Sequence, residues 1–316
     1  MTRTVDVAVI IPAHRCAPAL HTALASVAGQ TVRPREVIVA DDASGDDTAD
    51  AALAWVGHLP VSVLTLPVNG GPAAARRVAI ASSTASRLAL LDADDVWLPD
   101  HLETMVRVHD RHGGIVTADP VRWIPGAGLA PTGVATALPV PPAPEQRADI
   151  LRHDFVFIGT VFDRSLYDEV GGFREQFHGT EDWDLWIRMV RRGAVVSRAP
   201  HPTVLYRLSS GSVSADERLV SQERKVVLTA MDESDREDDR AILRATLRQI
   251  DAKAAMYAAY DAARRGRSWQ ARRLALRGVR GPGRIPSRCA ALLAAPRWAV
   301  RTRDARVNEP RWWLRP

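Results

Sequence analysis

Cysteine is scarce in this chain. Two in 316 residues, Cys16 and Cys289, offer neither a zinc-ligand spacing nor a disulfide framework, so a reducing, cytoplasmic setting is expected. Long apolar runs are absent as well. The run before Pro12 is too short for a signal-peptide core, and "CAALLAAPRWAV" is broken by Pro296 and Arg297. No transmembrane helix is expected, since a span needs about 20 apolar residues. No G-x-x-x-x-G-K-[ST] loop and no G-x-G-x-x-G occurs, which removes support from ATPase and dinucleotide-dehydrogenase readings. A G-x-G-T-R-type loop after the first strand is missing too, against a nucleotidyltransferase. Acids nearly vanish from the C-terminal end: fifteen arginines and no lysine between Ala262 and Pro316 face only Asp304 and Glu309. With a total net charge of +5, the rest of the chain is net acidic, near −8. Such an end can be a solvated terminus, or can meet anionic lipid or an acidic surface. Peripheral contact with the inner face of a membrane is one expectation; a nucleic acid partner is not expected.

What is present is globular in character, with 46% hydrophobic and 25% charged residues. The length suffices for one large or two modest cores. "VDVAVIIPA" reads as a buried strand stopping at Pro12, and "APALHTALASVAGQ" as a helix closing at Gly29. "EVIVADD", "VSVLTL" and "RLALL" supply three more strands, with helices over "SGDDTADAALAWV" and "PAAARRVAIAS" between them. Another helix runs from near Pro99 to Gly113. Strands alternating with helices predict parallel βαβ units and an α/β sheet, whose ligands bind beyond the carboxyl ends of the strands. "IIPAH", "VADDAS" and "LLDADD" all lie at such ends.

The pattern changes after Asp119. Residues 120–145 are proline-rich and read as a long loop or lid. "FVFIGTVFDRSLYDEVGGF" follows as strand, short helix and Gly-Gly turn. "EDWDLWIRMVRRGA" is a helix with Trp183, Trp186, Ile187 and Val190 on one stripe. From about Ala215 the chain looks mostly helical. Three parts are expected: 1–118, 119–215 with the proline-rich loop, and a helical, Arg-rich 216–316.

Four clusters carry chemistry. Asp92, Asp94 and Asp95 follow a strand, where two carboxylates one residue apart can face Mg²⁺ or Mn²⁺ or can crowd a helix start. An EF-hand does not fit, because Trp97 stands where the loop needs glycine. Asp41 and Asp42 can accept from a ribose or a base N–H, while Asp46 and Asp47 suit the next helix start. "NGGPAAARR" can bring backbone N–H and guanidinium groups to phosphate. Glu181 and Asp182 either cap their helix or present a general base to a cleft.

In order, "VAVIIPAHR", "EVIVADDASGDDT", "NGGPAAARRVAI", "LALLDADDVWLPDHLE", "EDWDLWIRM" and "YRLSSGSVS" resemble the family-2 inverting glycosyltransferases, over about Val5 to Ser214. The resemblance implies a GT-A fold, Rossmann-like with a mainly parallel central sheet flanked by helices. It also implies a nucleotide-diphosphate-sugar donor (a UDP-sugar favoured), a carbohydrate or lipid-linked acceptor, and Mn²⁺ or Mg²⁺. Carried over by motif, Pro12 and His14 line the base pocket, Asp42 contacts the base, and Arg76 stands on the donor side. Asp94 becomes the direct metal ligand and Asp92 a ribose or metal-shell contact. Asp182 becomes the catalytic base, with Glu181 beside it in the acceptor site as the second catalytic candidate, and Tyr206 and Arg207 lie near the diphosphate. Asp95 is expected to hold the turn. His14-Arg15 and Arg76-Arg77 depart from the family's usual Tyr-Asn and Arg-Asn. Two rival readings accompany this one: transfer to a polyprenyl phosphate, and a non-catalytic sugar-nucleotide-binding protein.

Overall fold

Val7 through Ile11 are wholly removed from solvent, which a strand achieves only with neighbours at both edges and cover on both faces. That strand is β1 (Thr4–Ala13), followed by α1 (Ala17–Ala28), β2 (Arg33–Asp41), α2 (Thr48–Leu53), β3 (Val61–Thr65), α3 (Gly71–Ser82) and β4 (Arg87–Leu90). The computed structural model describes residues 3–123, 139–207, 219–279, 285–296 and 299. The chain divides into two compact units, Met1–Ser212 and Val213–Pro316.

In the first unit, β1 pairs in parallel with β2 and β4, and β2 with β3. The strand order is therefore β3-β2-β1-β4, and the direction of winding reverses between β1 and β4. A crevice opens at the carboxyl ends of strands where such a reversal occurs. Next come β5 (Val96–Trp97), α4 (His101–His112), β6 (Ile115–Thr117), β7 (Pro120–Trp123), α5 (Ala143–Ile150) and β8 (Thr160–Asp163). After α6 (Arg164–Glu169) the chain forms α7 (Glu181–Arg191), β9 (Val196–Arg198) and β10 (Val204–Arg207). β8, β6 and β9 extend the sheet to seven strands, β8 running antiparallel to both β4 and β6. The mainly parallel α/β expectation is met, with one reversed strand inserted.

Three details depart from the sequence reading. A second sheet, β5-β10-β7, stands apart from the first; β5 is two residues long, too short for periodicity to reveal. The proline-rich stretch 120–145 is not loop throughout: β7 begins it and α5 overlaps its end, while 124–138 lie outside the described residues. The helix after "SGDD" stops at Leu53 rather than continuing to Val56. The stripe on α7 is as expected, for Trp183, Trp186, Ile187 and Val190 are all buried.

The second unit is helical: α8 (Leu219–Asp232), α9 (Glu237–Arg264), α10 (Ser268–Gly278) and α11 (Ile285–Ala294). Its core joins Met256, Ala259 and Ala263 to Ala271, Ala275, Cys289 and Leu292. Among the described residues no helix is long and apolar enough to cross a membrane.

Candidate active site

At the end of β2, Asp42 is buried and both its carboxylate oxygens are engaged. Gly70 N donates to Oδ1 and Gly71 N to Oδ2, each at 2.8 Å. These amides open α3, so the carboxylate complements the positive end of that helix. The phosphate reading of "NGGPAAARR" is thereby corrected, because its first amides already have an anion. Arg77 likewise turns to the Gly-Gly turn, donating to Phe173 O at 3.0 Å and pairing with Glu175 at 3.2 Å. Each Asp42 oxygen retains a lone pair, and the rim beside it is polar. His14 Nδ1 donates to Asp42 O at 2.8 Å, with its ring exposed, and Pro12 is half-buried. Two non-glycine residues with positive φ stand here, Arg15 (φ 49) and Ala43 (φ 52). Ser44 latches their loops together, accepting from Arg15 N at 2.9 Å on its hydroxyl and from Arg15 Nε at 3.1 Å on its carbonyl. The hydroxyl also donates to Asp41. Just ahead of α2, Asp46 accepts from Thr48 N at 3.0 Å.

Arg76, on the second turn of α3, is 3% exposed. Its Nη1 donates to Glu181 Oε1 and its Nη2 to Asp92 Oδ1, both at 2.7 Å. One guanidinium therefore joins two carboxylates that lie 89 residues apart in sequence, the fork geometry that arginine alone supplies. Burial works against its charge, but Asp92 and Glu181 outweigh burial and hold its pKa above the usual arginine range. Glu181 Oε2 accepts from Gly179 N at 2.7 Å, so both oxygens of this side chain are occupied. It thereby ties Arg76 to the start of α7.

Asp92 gives one oxygen to Arg76; the other, with the Asp94 carboxylate, is claimed by no other side chain among the described residues. Burial and the charge of Asp92 hold the Asp94 carboxyl above the usual carboxylate range. Asp95 is buried, and its carboxyl is raised further by burial, Asp92 and Asp94. The turn is gripped from β10: Arg207 N donates to Asp95 Oδ1 at 3.0 Å and Arg207 Nε to Asp94 O at 2.8 Å. The guanidinium carbon sits 4.4 Å from the centroid of the Trp123 ring. Tyr206 meets Phe157 edge-on with ring centroids 5.9 Å apart. Among the described residues no three or more His, Cys, Asp or Glu side chains form a metal cage.

Asp182 opens α7 beside Glu181, with Oδ1 accepting from Trp183 N at 2.8 Å. Burial first, then the charge of Glu181, pushes its carboxyl up to about 7, against the pull of Arg76. The neighbouring carboxylate, Asp154, belongs to none of the motifs read from sequence. Because β8 is antiparallel to β4, the chain entering β8 arrives at the carboxyl end of β4. Trp183 Nε1 donates to Ile150 O at 2.8 Å, holding this segment against α7. Asp154 Oδ1 accepts from Val156 N at 2.9 Å, and burial and then Asp182 raise its carboxyl well above the usual range. Two acids that oppose each other's ionisation thus share this end of the crevice. No periodicity marks Asp154; only the reversed strand brings it in.

The sites predicted from sequence therefore fall into two groups: Asp42, His14 and Pro12 at the β1–β2 end, and Arg76, Asp92, Asp94, Glu181, Asp182 and Arg207 around one charge cluster. Residues 8–171 match the family described as Glycosyl transferase family 2. The chain is 29% identical over 267 residues to succinoglycan biosynthesis protein ExoU of Rhizobium meliloti (strain 1021), covering 79% of this chain and 73% of the relative. In three dimensions it is similar to S. aureus TarS 1-349 in complex with UDP-GlcNAc, with TM-score 0.63, 18% identity, and 96% and 91% of the two chains covered. It is also similar to the mannosyltransferase PcManGT from Pyrobaculum calidifontis in complex with GDP-Man and Mn²⁺, with TM-score 0.61, 18% identity, and 98% and 84% covered. The central sheet, its flanking helices and the match over half the chain lead to one conclusion: this chain belongs to glycosyl transferase family 2.

Proposed function

We propose that the chain transfers a sugar from a nucleotide-diphosphate-sugar to an acceptor hydroxyl with inversion, in the building of a polysaccharide, glycolipid or other glycoconjugate. The observation that carries this is the Arg76 bridge, which links Asp92 at the end of β4 to Glu181, next to the raised carboxyl of Asp182. Asp42, His14 and Pro12 hold the base, a uracil favoured, with the Asp42 oxygens accepting from its N–H. Asp94 and the free oxygen of Asp92 hold a divalent cation. Two carboxylates with an open remainder suit Mg²⁺ or Mn²⁺, which take few protein ligands and complete their shell with phosphate and water. When bound, that ion supplies Lewis-acid stabilisation of the leaving diphosphate. Arg207 fixes the turn that aims Asp94 and presents its own charge on the diphosphate side. Asp182 removes the proton from the acceptor hydroxyl as that oxygen bonds to the anomeric carbon and the nucleotide diphosphate departs.

Thermal denaturation against a set of nucleotide-sugars with Mn²⁺ tests the donor assignment. A true donor raises the midpoint by mass action, by about 2.7 kcal/mol of stability at a hundredfold excess over Kd. In Asp94→Ala the Mn²⁺-dependent part of that rise is expected to vanish. Equal shifts with and without Mn²⁺ in the parent chain would remove the metal from the reading.

The pH dependence follows from the same cluster. Burial first, then Glu181 and Asp92, against the pull of Arg76, holds the Asp182 carboxyl up to about 7, with Asp154 beside it. A base must be ionised, so kcat at saturating donor is expected to rise with pH through about 7 and then level. A flat profile across neutrality contradicts the base assignment. For stability the sign is reversed. A carboxyl raised on folding binds its proton more tightly in the native state, so its contribution is full at acid pH and is lost as pH rises from about 3.8 to about 7.

A further inference from the structure

Burial divides α10 into two faces. Ala271 and Ala275 enter the core shared with α9 and α11. On the opposite side Trp269 is 74% and Leu276 62% exposed. Seven residues apart, they lie two turns from each other on nearly one line along the helix. Arg272 flanks that line on one side, and Arg273 and Arg277 on the other, all exposed. Arg273 Cζ stands 5.7 Å from the Trp269 ring centroid. No acid occurs between Ala262 and Arg303, so nothing in that stretch of sequence neutralises this field.

A single exposed apolar side chain is ordinary. A tryptophan and a leucine aligned inside a field of arginines make a different surface. Indole suits the boundary between headgroups and acyl chains, having an apolar body and a polar N–H. Arginine stems cover apolar surface while their heads stay with anions. We propose that this face of α10 docks on an anionic lipid surface, with Trp269 and Leu276 entering the headgroup boundary and the three arginines pairing with lipid phosphates. The helix lies in the plane of the surface, being too short to cross it. The surface belongs to the second unit and stands apart from the transferase reading.

Co-sedimentation of the full chain with equimolar phosphatidylglycerol and phosphatidylcholine vesicles tests it, against vesicles of phosphatidylcholine alone. Binding is expected to the anionic vesicles only, with release at high salt. Trp269→Ser with Leu276→Ser is expected to lower the partition coefficient at least tenfold, and Arg273→Gln or Arg277→Gln about fivefold each. Helical circular dichroism and the nucleotide-sugar thermal shift are expected to be unchanged in every variant, which separates loss of docking from loss of fold. If the Trp269→Ser, Leu276→Ser chain fails to fold, the two arginine variants decide the matter. Undiminished pelleting of the variants overturns the proposal, as does equal binding to neutral vesicles. It is equally overturned by a dimer that these substitutions dissociate, or by duplex DNA binding that they abolish.

Discussion

Replacing Asp182 with asparagine is expected to lower sugar transfer by about 10²–10⁴-fold, the range lost with a positioned general base, while nucleotide-sugar binding stays as in the parent. Asparagine has the same shape, and its Oδ1 can still accept from Trp183 N, so the start of α7 keeps its hydrogen bond. Glu181 and Arg76 keep their pairing, which does not pass through Asp182. What disappears is the ionisable oxygen. The variant also loses a charge that burial disfavours, so above pH about 7 its thermal midpoint is expected to equal or exceed that of the parent. A dead enzyme that is equally or more stable cannot be dismissed as misfolded. Full transfer activity in this variant would sink the base assignment. Indifference to the change together with a polyprenyl phosphate acceptor favours the rival reading, since a phosphate needs no base to attack. Absence of both transfer and donor hydrolysis in the parent chain favours the binding protein.

The features legible from sequence were those set by neighbours along the chain. "LLDADD" joins an apolar strand to its acids, so both the end of β4 and the crowding of Asp92, Asp94 and Asp95 can be read locally. The amphipathic stripe of α7 is likewise local, and the acids at its start are visible before any contact is known. What could not be read is which acid has its oxygens free. Glu181 looks as available as Asp182, yet both its oxygens are held, one by Arg76 from a distant helix and one by the Gly179 amide. Asp154 is not legible in this way, because its place depends on β8 running against β4, and strand direction leaves no mark in a four-residue segment. The motif places Arg207 near the diphosphate, but the grip of its backbone and Nε on the acidic turn depends on a sheet containing a two-residue strand.

Replacing Arg76 with methionine is expected to destabilise the first unit by about 3–5 kcal/mol, the range for removing one partner of a buried ion pair. The reason lies with Glu181. Asp92 is 29% exposed on its side chain and can recover water, but Glu181 is 5% exposed and retains only the Gly179 amide. Its carboxylate would be left inside without a counter-charge. At about 2–4 °C per kcal/mol for a unit of this size, the thermal midpoint should fall by roughly 6–20 °C. Lysine at position 76 should recover part of the loss, since a point charge can approach one carboxylate but lacks the fork that spans both. The sharpest check is a double-mutant cycle with Glu181→Gln. If the Arg76–Glu181 contact carries the effect, the double variant is more stable than the sum of the single changes predicts, by more than the few tenths of a kcal/mol that independent sites show. Strict additivity would mean that Arg76 acts through packing on Phe173, 5.5 Å from its guanidinium carbon, and not through the bridge. The bridge also makes a chemical prediction that packing does not. Arg76 lowers the Asp182 carboxyl, so in the lysine variant, where the charge is less well placed, the midpoint of the kcat–pH profile should move upward from about 7.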